Sequence, residues 1–533
     1  MTVDLNRCVG CQTCTIACKH SNDTSPEVQW RRVLDIETGS FPDVERLFMV
    51  TGCQHCAEPP CVPVCPTGAT AQRADGLVTM NYDLCIGCAY CAVSCPYQAR
   101  TIVHDHEWYY GEETIQEEKV EHNERLGVAQ KCTFCIERID ESKESAVVPG
   151  NDLDYTPACA ASCIAEALVF GDFNDPGSTV SKLVTDKPSF QMHKELGTDP
   201  QIKYLYETPA VPGRDPNEED LDDERLGDPA NPLVGERQTF WDLRAAMNFV
   251  LGGMSSGLGV VAVVAWMNGN VLTIRSMWGL LLLSAVVMGA GLFFVWLKIG
   301  RKLRAGFAIL RPQTSWMSRE MYVVGVYYVG IAGWILWRPE QWLINVIGLA
   351  AFAFLYCQAR ILQACMGIPA WRVPLMVWML LATGVYEGLG LYALSHVLNP
   401  LTIQFGGANY FFGATLALIN GVLWHRYRVG ARANGMPPLS RALIERWSLP
   451  LHLFGHGLPG LIFSIGIVHE LPPLLLATGC VLAVVGGIFW KVLIITRASY
   501  QQGFAIARFP QRGSGTRAAP ARLSGHPAPT AST

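Results

Sequence analysis

Apolar and polar positions divide this chain into two halves of different character. Up to about residue 240 the apolar residues come in short runs, such as LFMVTG and GLVTMNYDLC, broken by turn residues and charges. No long amphipathic period dominates, so this half predicts short strands and loops, with much of its order supplied by something other than a large apolar core. From residue 241 the pattern changes to long apolar runs, each near the ~20 residues a helix needs to cross a hydrocarbon layer. Eight runs are predicted to span: 245–267, 277–299, 321–337, 341–362, 374–396, 409–425, 449–468 and 472–495. The last two are separated only by HELPP. Between the halves, residues 207–240 are rich in Pro, Gly and acids and predict a solvated linker without chemistry. The Pro-, Ala-, Ser- and Gly-rich stretch 511–533 predicts a disordered tail.

Composition sharpens the division. The net charge of -5 resides in the first half and the linker and gives no case for nucleic-acid binding. Sixteen of the nineteen cysteines lie in the first 163 residues. Met1 leads into the first of them at Cys8 with no charged n-region, apolar h-region or twin-arginine signal. The expectation is a chain without an export signal of its own.

The sixteen cysteines fall into four groups. CVGCQTCTIAC holds Cys8, Cys11, Cys14 and Cys18; CQHCAEPPCVPVCP holds Cys53, Cys56, Cys61 and Cys65; CIGCAYCAVSCP holds Cys85, Cys88, Cys91 and Cys95. The fourth is split between CTFC, at Cys132 and Cys135, and CAASC, at Cys159 and Cys163. Three cysteines two residues apart wrap a tight loop around one cubane, and a fourth, three residues on, points to a neighbouring cluster. Zinc also uses C-x-x-C pairs but does not explain C-x2-C-x2-C-x3-C runs. Disulfides are implausible at such density without an export signal. Iron–sulfur ligation is the reading that accounts for the repetition.

With these motifs in view, residues 1–205 resemble the four-cluster ferredoxin subunits of the dimethyl sulfoxide reductase superfamily of molybdopterin oxidoreductases. The resemblance implies that groups one and four share two clusters, and groups two and three another two. Carried over by motif, Cys8, Cys11, Cys14 and Cys163 hold the first cluster, and Cys18, Cys132, Cys135 and Cys159 the second. Cys53, Cys56, Cys61 and Cys95 hold the third, and Cys65, Cys85, Cys88 and Cys91 the fourth. Some relatives carry Trp at the position of Cys88 and a 3Fe–4S cluster there, so four cubanes are expected here. The first cluster is expected nearest the catalytic partner and the fourth nearest the membrane.

The second half resembles the anchor subunits of the same enzymes, in KIGRKLRAGFAILRPQTSWMSREM (298–321) and in RASYQQGFAIARFPQRG near the end. The resemblance implies a quinone-linked role for Glu320, while Lys298 stands where a His is common. An ionisable group at membrane depth is a functional candidate on physical grounds as well. The bland alternative for Glu320 is an interfacial carboxylate paired with Arg319 or Arg301. Glu387 is expected to be a structural partner rather than a second proton group. His452 and His456, four residues apart on one helix face, are candidates for the quinone site; no haem is expected, since His396 and His425 complete no facing pairs. Cys357, Cys365 and Cys480 read as small apolar fillers.

Eight spans put both ends of the second half on one side. That side carries Arg301, Lys302, Arg304, Arg311, Arg319, Arg360, Arg372, Arg426, Arg428, Arg432, Arg441, Arg446, Arg497, Arg508, Arg512 and Arg517, against Arg275 and Arg338 opposite. By the positive-inside rule the first half faces the cytoplasm, at the inner membrane.

The expected fold class is an α+β ferredoxin-like iron–sulfur domain of two double-cluster modules (1–206), then an all-α polytopic membrane domain of about eight transmembrane helices with a quinone site (241–510). The expected function is electron transfer between a separate molybdopterin-containing catalytic subunit and membrane quinone, with sulfite oxidation to sulfate as the leading reaction. The alternatives are a dimethyl sulfoxide or polysulfide reductase running from quinol to substrate, and a module of a formate-type dehydrogenase. Membrane lipid and the quinone pool are the other expected partners.

Overall fold

The computed structural model describes residues 1–505 apart from 27, 41–42, 120–121, 207–224 and 338. The expected tail at 511–533 and the first part of the expected linker lie outside the described residues, as do Arg338, Arg508, Arg512 and Arg517.

Short strands hold the cysteine loops of the head: β1 (Thr2–Asp4), β2 (Arg31–Ser40), β3 (Asp43–Gly52), β4 (Thr70–Gln72), β5 (Val78–Met80), β6 (Thr101–Ile102), β7 (Ala129–Gln130), β8 (Leu168–Val169), β9 (Ser189–Phe190) and β10 (Lys203–Leu205). Their pairing explains which loops meet. β1 lies between β10, parallel to it, and β8, antiparallel. The β1–β8 register sets Val3 against Leu168, so the loop of Cys8 is brought to the loop of Cys163. The β2–β3 hairpin leads from the first cysteine group to the second, and β4–β5 from the second to the third. The β6–β7 pair ties the end of the third group to the start of the fourth. Most of the cysteines are themselves buried members of the two apolar clusters of the head, in keeping with a fold that has little other core.

Among the described residues eight long helical rods follow: α1 (Leu243–Met267), α2 (Ile274–Lys298), α3 (Trp316–Leu336), α4 (Gln341–Gln363), α5 (Leu375–Leu398), α6 (Gly407–Val429), α7 (Pro438–Val468) and α8 (Pro473–Arg497). Six of them, α1, α2, α4, α5, α7 and α8, are long and apolar enough to cross a membrane. In α3 the run is interrupted by Ser318, Arg319 and Glu320, and in α6 by Asn409 and Asn420. α3 starts at Trp316, earlier than its apolar run, so Glu320 sits inside the helix. α1 is central and packs on α2, α4 and α5. A Cβ on its Gly257 would overlap the carbonyl oxygen of Gly384 on α5, a backbone-to-backbone approach of the small-xxx-small kind used between membrane helices. α7 is not regular: a π-helical turn, Leu451–Gly457, divides it.

The seam between head and helices is made of backbone. Gly87, Gly127 and Gly300 meet so closely that a Cβ on Gly87 would overlap the Gly127 carbonyl oxygen. Arg301 donates its backbone N–H to the Ile86 carbonyl at 3.0 Å and its Nε to the Leu126 carbonyl at 2.8 Å, and Arg304 donates to the Tyr82 carbonyl at 2.8 Å. Ser315 donates to the Val64 carbonyl at 2.8 Å. The basic loop after α2 is thus a seat for the third cysteine group. Gly87 also has a positive φ of 70, so Gly87→Ala is expected to cost more than ~2 kcal/mol through strain and overlap. The check is a lower thermal midpoint of the purified protein.

The second part of the expected linker departs from the sequence reading. Residues 225–240 are not a free solvated strap. Leu233 and Gln238 are buried, and the segment pairs with the chain after α8: Phe504 N–H to Leu233 O at 2.9 Å, Gln501 N–H to Glu236 O at 3.0 Å, and Gln238 N–H to Ser499 O at 3.0 Å. Backbone pairing between segments so far apart in the chain is invisible to local composition, which is why Pro and Gly content misled. The same returning segment touches the head, where His193 Nε2 lies 3.1 Å from the Gly503 carbonyl oxygen.

Candidate electron-transfer site

The strand pairings set the cysteines in interleaved groups. Cys14 has Cys159, Cys8 and Cys163 around it, and burial with their combined charge pushes its thiol up to about 12. Cys18 is raised by burial and by Cys132, Cys159 and Cys135. Cys56 is raised by burial and by Cys53, Cys95 and Cys61, and Cys88 by burial and by Cys91, Cys65 and Cys85. Backbone N–H groups are already aimed at several sulfurs: Ala167 at Cys163 (3.3 Å), Phe134 at Cys132 (3.4 Å), Ala158 at Cys135 and Thr70 at Cys65 (both 3.5 Å). None of the sixteen is in a disulfide. Among the described residues no three of these donors converge as a single metal ion requires, whereas sulfurs set around a cubane stand further apart. The donor set fits iron–sulfur clusters: thiolate ligands in groups of four, with N–H donors to the sulfurs.

Buried thiolates around a cluster carry net negative charge, and the head supplies buried cations in answer. Arg31 is fully buried; burial works against its charge, but Cys159, Cys132, Cys18 and Cys14 outweigh it and hold the guanidinium protonated. Arg100 stands in the same relation to Cys61, Cys91, Cys53 and Cys95. Lys131 lies between them, donating to the carbonyls of Val78 and Cys132. Beside it His55 stacks on Phe134 with ring centroids 3.9 Å apart, and burial with Lys131 and Arg31 holds it well below its ordinary range, hence neutral. Sequence reasoning passed over all four residues. The available signal was a basic residue next to a cysteine motif, as in AQKC.

The third group ends at the membrane half. Trp241 donates Nε1–H to the Cys88 carbonyl at 3.0 Å, and Tyr90 donates to the Ile361 carbonyl of α4 at 2.9 Å. Cys88, Lys298 and Glu320 line one cavity of about 150 Å³, walled by Trp241, Phe249, Trp296 and Met317. A cavity of about that size has room for one six-membered ring. Glu320 is 4% exposed; Gln358 and Asn248 are its hydrogen-bonding neighbours, and its Oε1 has no partner among the described residues. The interfacial pairing of Glu320 with Arg319 or Arg301 does not occur: Arg319 donates to the Pro312 and Gln313 carbonyls and Arg301 to the head.

Comparison with known proteins bears on this arrangement. The description "4Fe-4S dicluster domain" matches residues 44–110. A subunit of selenate reductase from Mesobacillus selenatarsenatis is 38% identical over 221 residues, which are 38% of this chain and 70% of that protein. A subunit of sulfite dehydrogenase from Allochromatium vinosum is 38% identical over 221 residues, 38% of this chain and 81% of that one. The chain belongs to the iron–sulfur electron-transfer subunits of molybdoenzyme complexes. A further relative, the iron–sulfur cluster-binding subunit of menaquinone reductase from Nitratidesulfovibrio vulgaris, is 37% identical over 223 residues, 38% of this chain and 87% of that one. Each match leaves more than half of this chain uncovered.

Three other residues singled out in the sequence of this iron–sulfur subunit lie away from that cavity. His452 and His456 do not line the Glu320 cavity; they face a separate groove between α6 and α7. Glu387 is fully buried and accepts a 2.6 Å hydrogen bond from Lys491 of α8, also fully buried. A Cβ on Gly253 of α1 would come within 2.6 Å of that Lys491 Nζ, so the pair is enclosed by helix packing. It acts as a structural ion pair. Lys491→Met is expected to destabilise the bundle by ~3–5 kcal/mol by leaving the carboxylate alone. The double change with Glu387→Gln should recover much of the loss, as read from the yield and thermal midpoint of detergent-purified protein.

Proposed function

We propose that this chain links a molybdopterin-containing catalytic subunit to the membrane quinone pool, passing electrons through four 4Fe–4S clusters held as Cys8/Cys11/Cys14/Cys163, Cys18/Cys132/Cys135/Cys159, Cys53/Cys56/Cys61/Cys95 and Cys65/Cys85/Cys88/Cys91. The observation that carries this reading is the shared cavity: Cys88, the proposed ligand of the last cluster, and a carboxylate with one unpartnered oxygen line the same ring-sized space. When bound, the clusters supply electrons one at a time. The chain's own residues do the rest. Trp241 and Tyr90 tie the Cys88 loop to the helices, Trp296 and Met317 exclude water, and Glu320 holds a proton for a quinone oxygen. Lys298, at the rim beside Asp242 and Cys88, contributes positive charge where negative charge arrives. Reduction of a quinone to a quinol takes two electrons and two protons.

In this reading all eight rods span the membrane. The long apolar runs flanking the shorter polar interruptions of α3 and α6 support it, and the loop charges favour a cytoplasmic head at the inner membrane. Protease treatment of intact spheroplasts should leave the head uncut; cleavage from outside overturns the orientation.

Sulfite oxidation is the reaction we favour, giving sulfate, two electrons and two protons from sulfite and water. A cytoplasmic head and a relative that is a subunit of sulfite dehydrogenase support it. The test is to purify the complex and assay sulfite, dimethyl sulfoxide and formate against a quinone analogue. Sulfite-driven quinone reduction is the expected result; turnover with formate alone rejects sulfur chemistry, and quinol-driven reduction of dimethyl sulfoxide reverses the direction.

A further inference from the structure

The groove between α6 and α7 is a second site of distinct construction. It holds about 740 Å³ and runs from Phe411 to His425 along α6, a rise of about 21 Å of helix. Its outer wall is apolar and faces outward along the bundle, with Phe411 and Leu418 exposed. Its head-side end holds three imidazoles in a row: His425 and His452 have ring centroids 6.3 Å apart, and His452 and His456 6.2 Å apart. His456 is 7% exposed, and among the described residues neither of its ring nitrogens has a well-formed hydrogen bond; only the Gly455 backbone comes near.

An unpartnered imidazole costs free energy in an apolar setting, and the surroundings are shaped to keep it so. The π-helical turn Leu451–Gly457 carries both His452 and His456 and follows Pro450, which has no N–H to give. Such turns are rare and cluster at functional sites. Across the groove stands Gly421, where a Cβ would approach the Cβ of His456 at 3.7 Å, so a larger residue would close the space.

We infer that this groove is a second binding site for a lipid-soluble quinone, with the ring against His456 and the isoprenoid tail along α6. A neutral imidazole donates to a quinone carbonyl from one nitrogen and accepts from a quinol hydroxyl at the other, so it serves both redox forms. A phosphate headgroup fits less well: the cation within reach of His452 is Arg428, which is already paired with Glu445 at 3.0 Å. The ligand class rests on the proposed function, but the site does not, since it shares no lining residue with the Glu320 cavity.

The test is photolabelling of the whole complex in native-lipid discs with an azido-quinone bearing a short isoprenoid tail. Two sets of labelled peptides are expected, one from the Glu320 cavity and one from α6 and α7. His456→Leu should remove at least ten-fold of the α6–α7 label and leave the cavity label, while His456→Gln, which keeps a donor, should retain both. No α6–α7 label in the native complex, label that persists in His456→Leu, or loss of only that label in His456→Gln overturns the inference, as does a phospholipid found in the groove instead. Absence of label from the Glu320 cavity alone would sink the proposed quinone pocket and leave this site standing.

Discussion

Glu320→Gln is expected to lower quinone-linked turnover by ~10²-fold or more, the usual worth of a positioned proton donor, while the iron–sulfur spectra stay as they are. The change keeps the shape of the side chain and its neighbours Gln358 and Asn248, and it removes the group's capacity to gain and lose a proton. Reduction of a soluble dye by the catalytic partner's substrate should be untouched, because a dye takes its electrons before the cavity. Stopped turnover with normal dye activity places the defect at the pocket. Quinone turnover at the native rate would take Glu320 out of the mechanism.

Cys88→Ser is expected to have the other large effect, and of a different kind. Cys88 is both a proposed cluster ligand and part of the cavity wall. Its neighbours are Cys91, Cys65 and Cys85, so low-temperature electron paramagnetic resonance should lose or alter one cluster signal out of four. Quinone turnover should fall to background, since the altered centre is the one next to the pocket. The remaining signals should persist, because the other twelve cysteines stand in other groups. A change in the signal assigned to Cys18, Cys132, Cys135 and Cys159 would break the proposed pairing.

The two halves differ in how much of them the sequence discloses. A cysteine loop is a local object: in the first three groups the ligand spacing is written within eleven to thirteen residues, and the groups stand out without any structure. Long apolar runs are local too, and eight of them become eight rods. Glu320 was singled out as a charge in an apolar run, and Lys298 only through the family resemblance; the structure places both on one cavity. What remained hidden depends on contacts between distant segments. Lys491 looks like a residue at the end of a span until α5 brings Glu387 to it. Arg31 and Arg100 look like ordinary surface arginines until the loops close over them. His452 and His456 were rightly paired with each other, but no pattern along the chain says that α6 rather than α3 will face them. The polar composition of 225–240 pointed to solvent, whereas its partner strand lies beyond α8.

The returning segment 499–505 has a consequence for how the molecule is made. It pairs with 233–238 and reaches the head at His193, yet it is synthesised after the last membrane helix. The head is therefore complete in sequence long before its final contacts exist. For most of translation it waits with that flank uncovered, and only the emergence of the last rod supplies the missing piece. Assembly of the seam then requires that all eight described rods have been made. A chain interrupted anywhere before residue 499 would display a head lacking this closure.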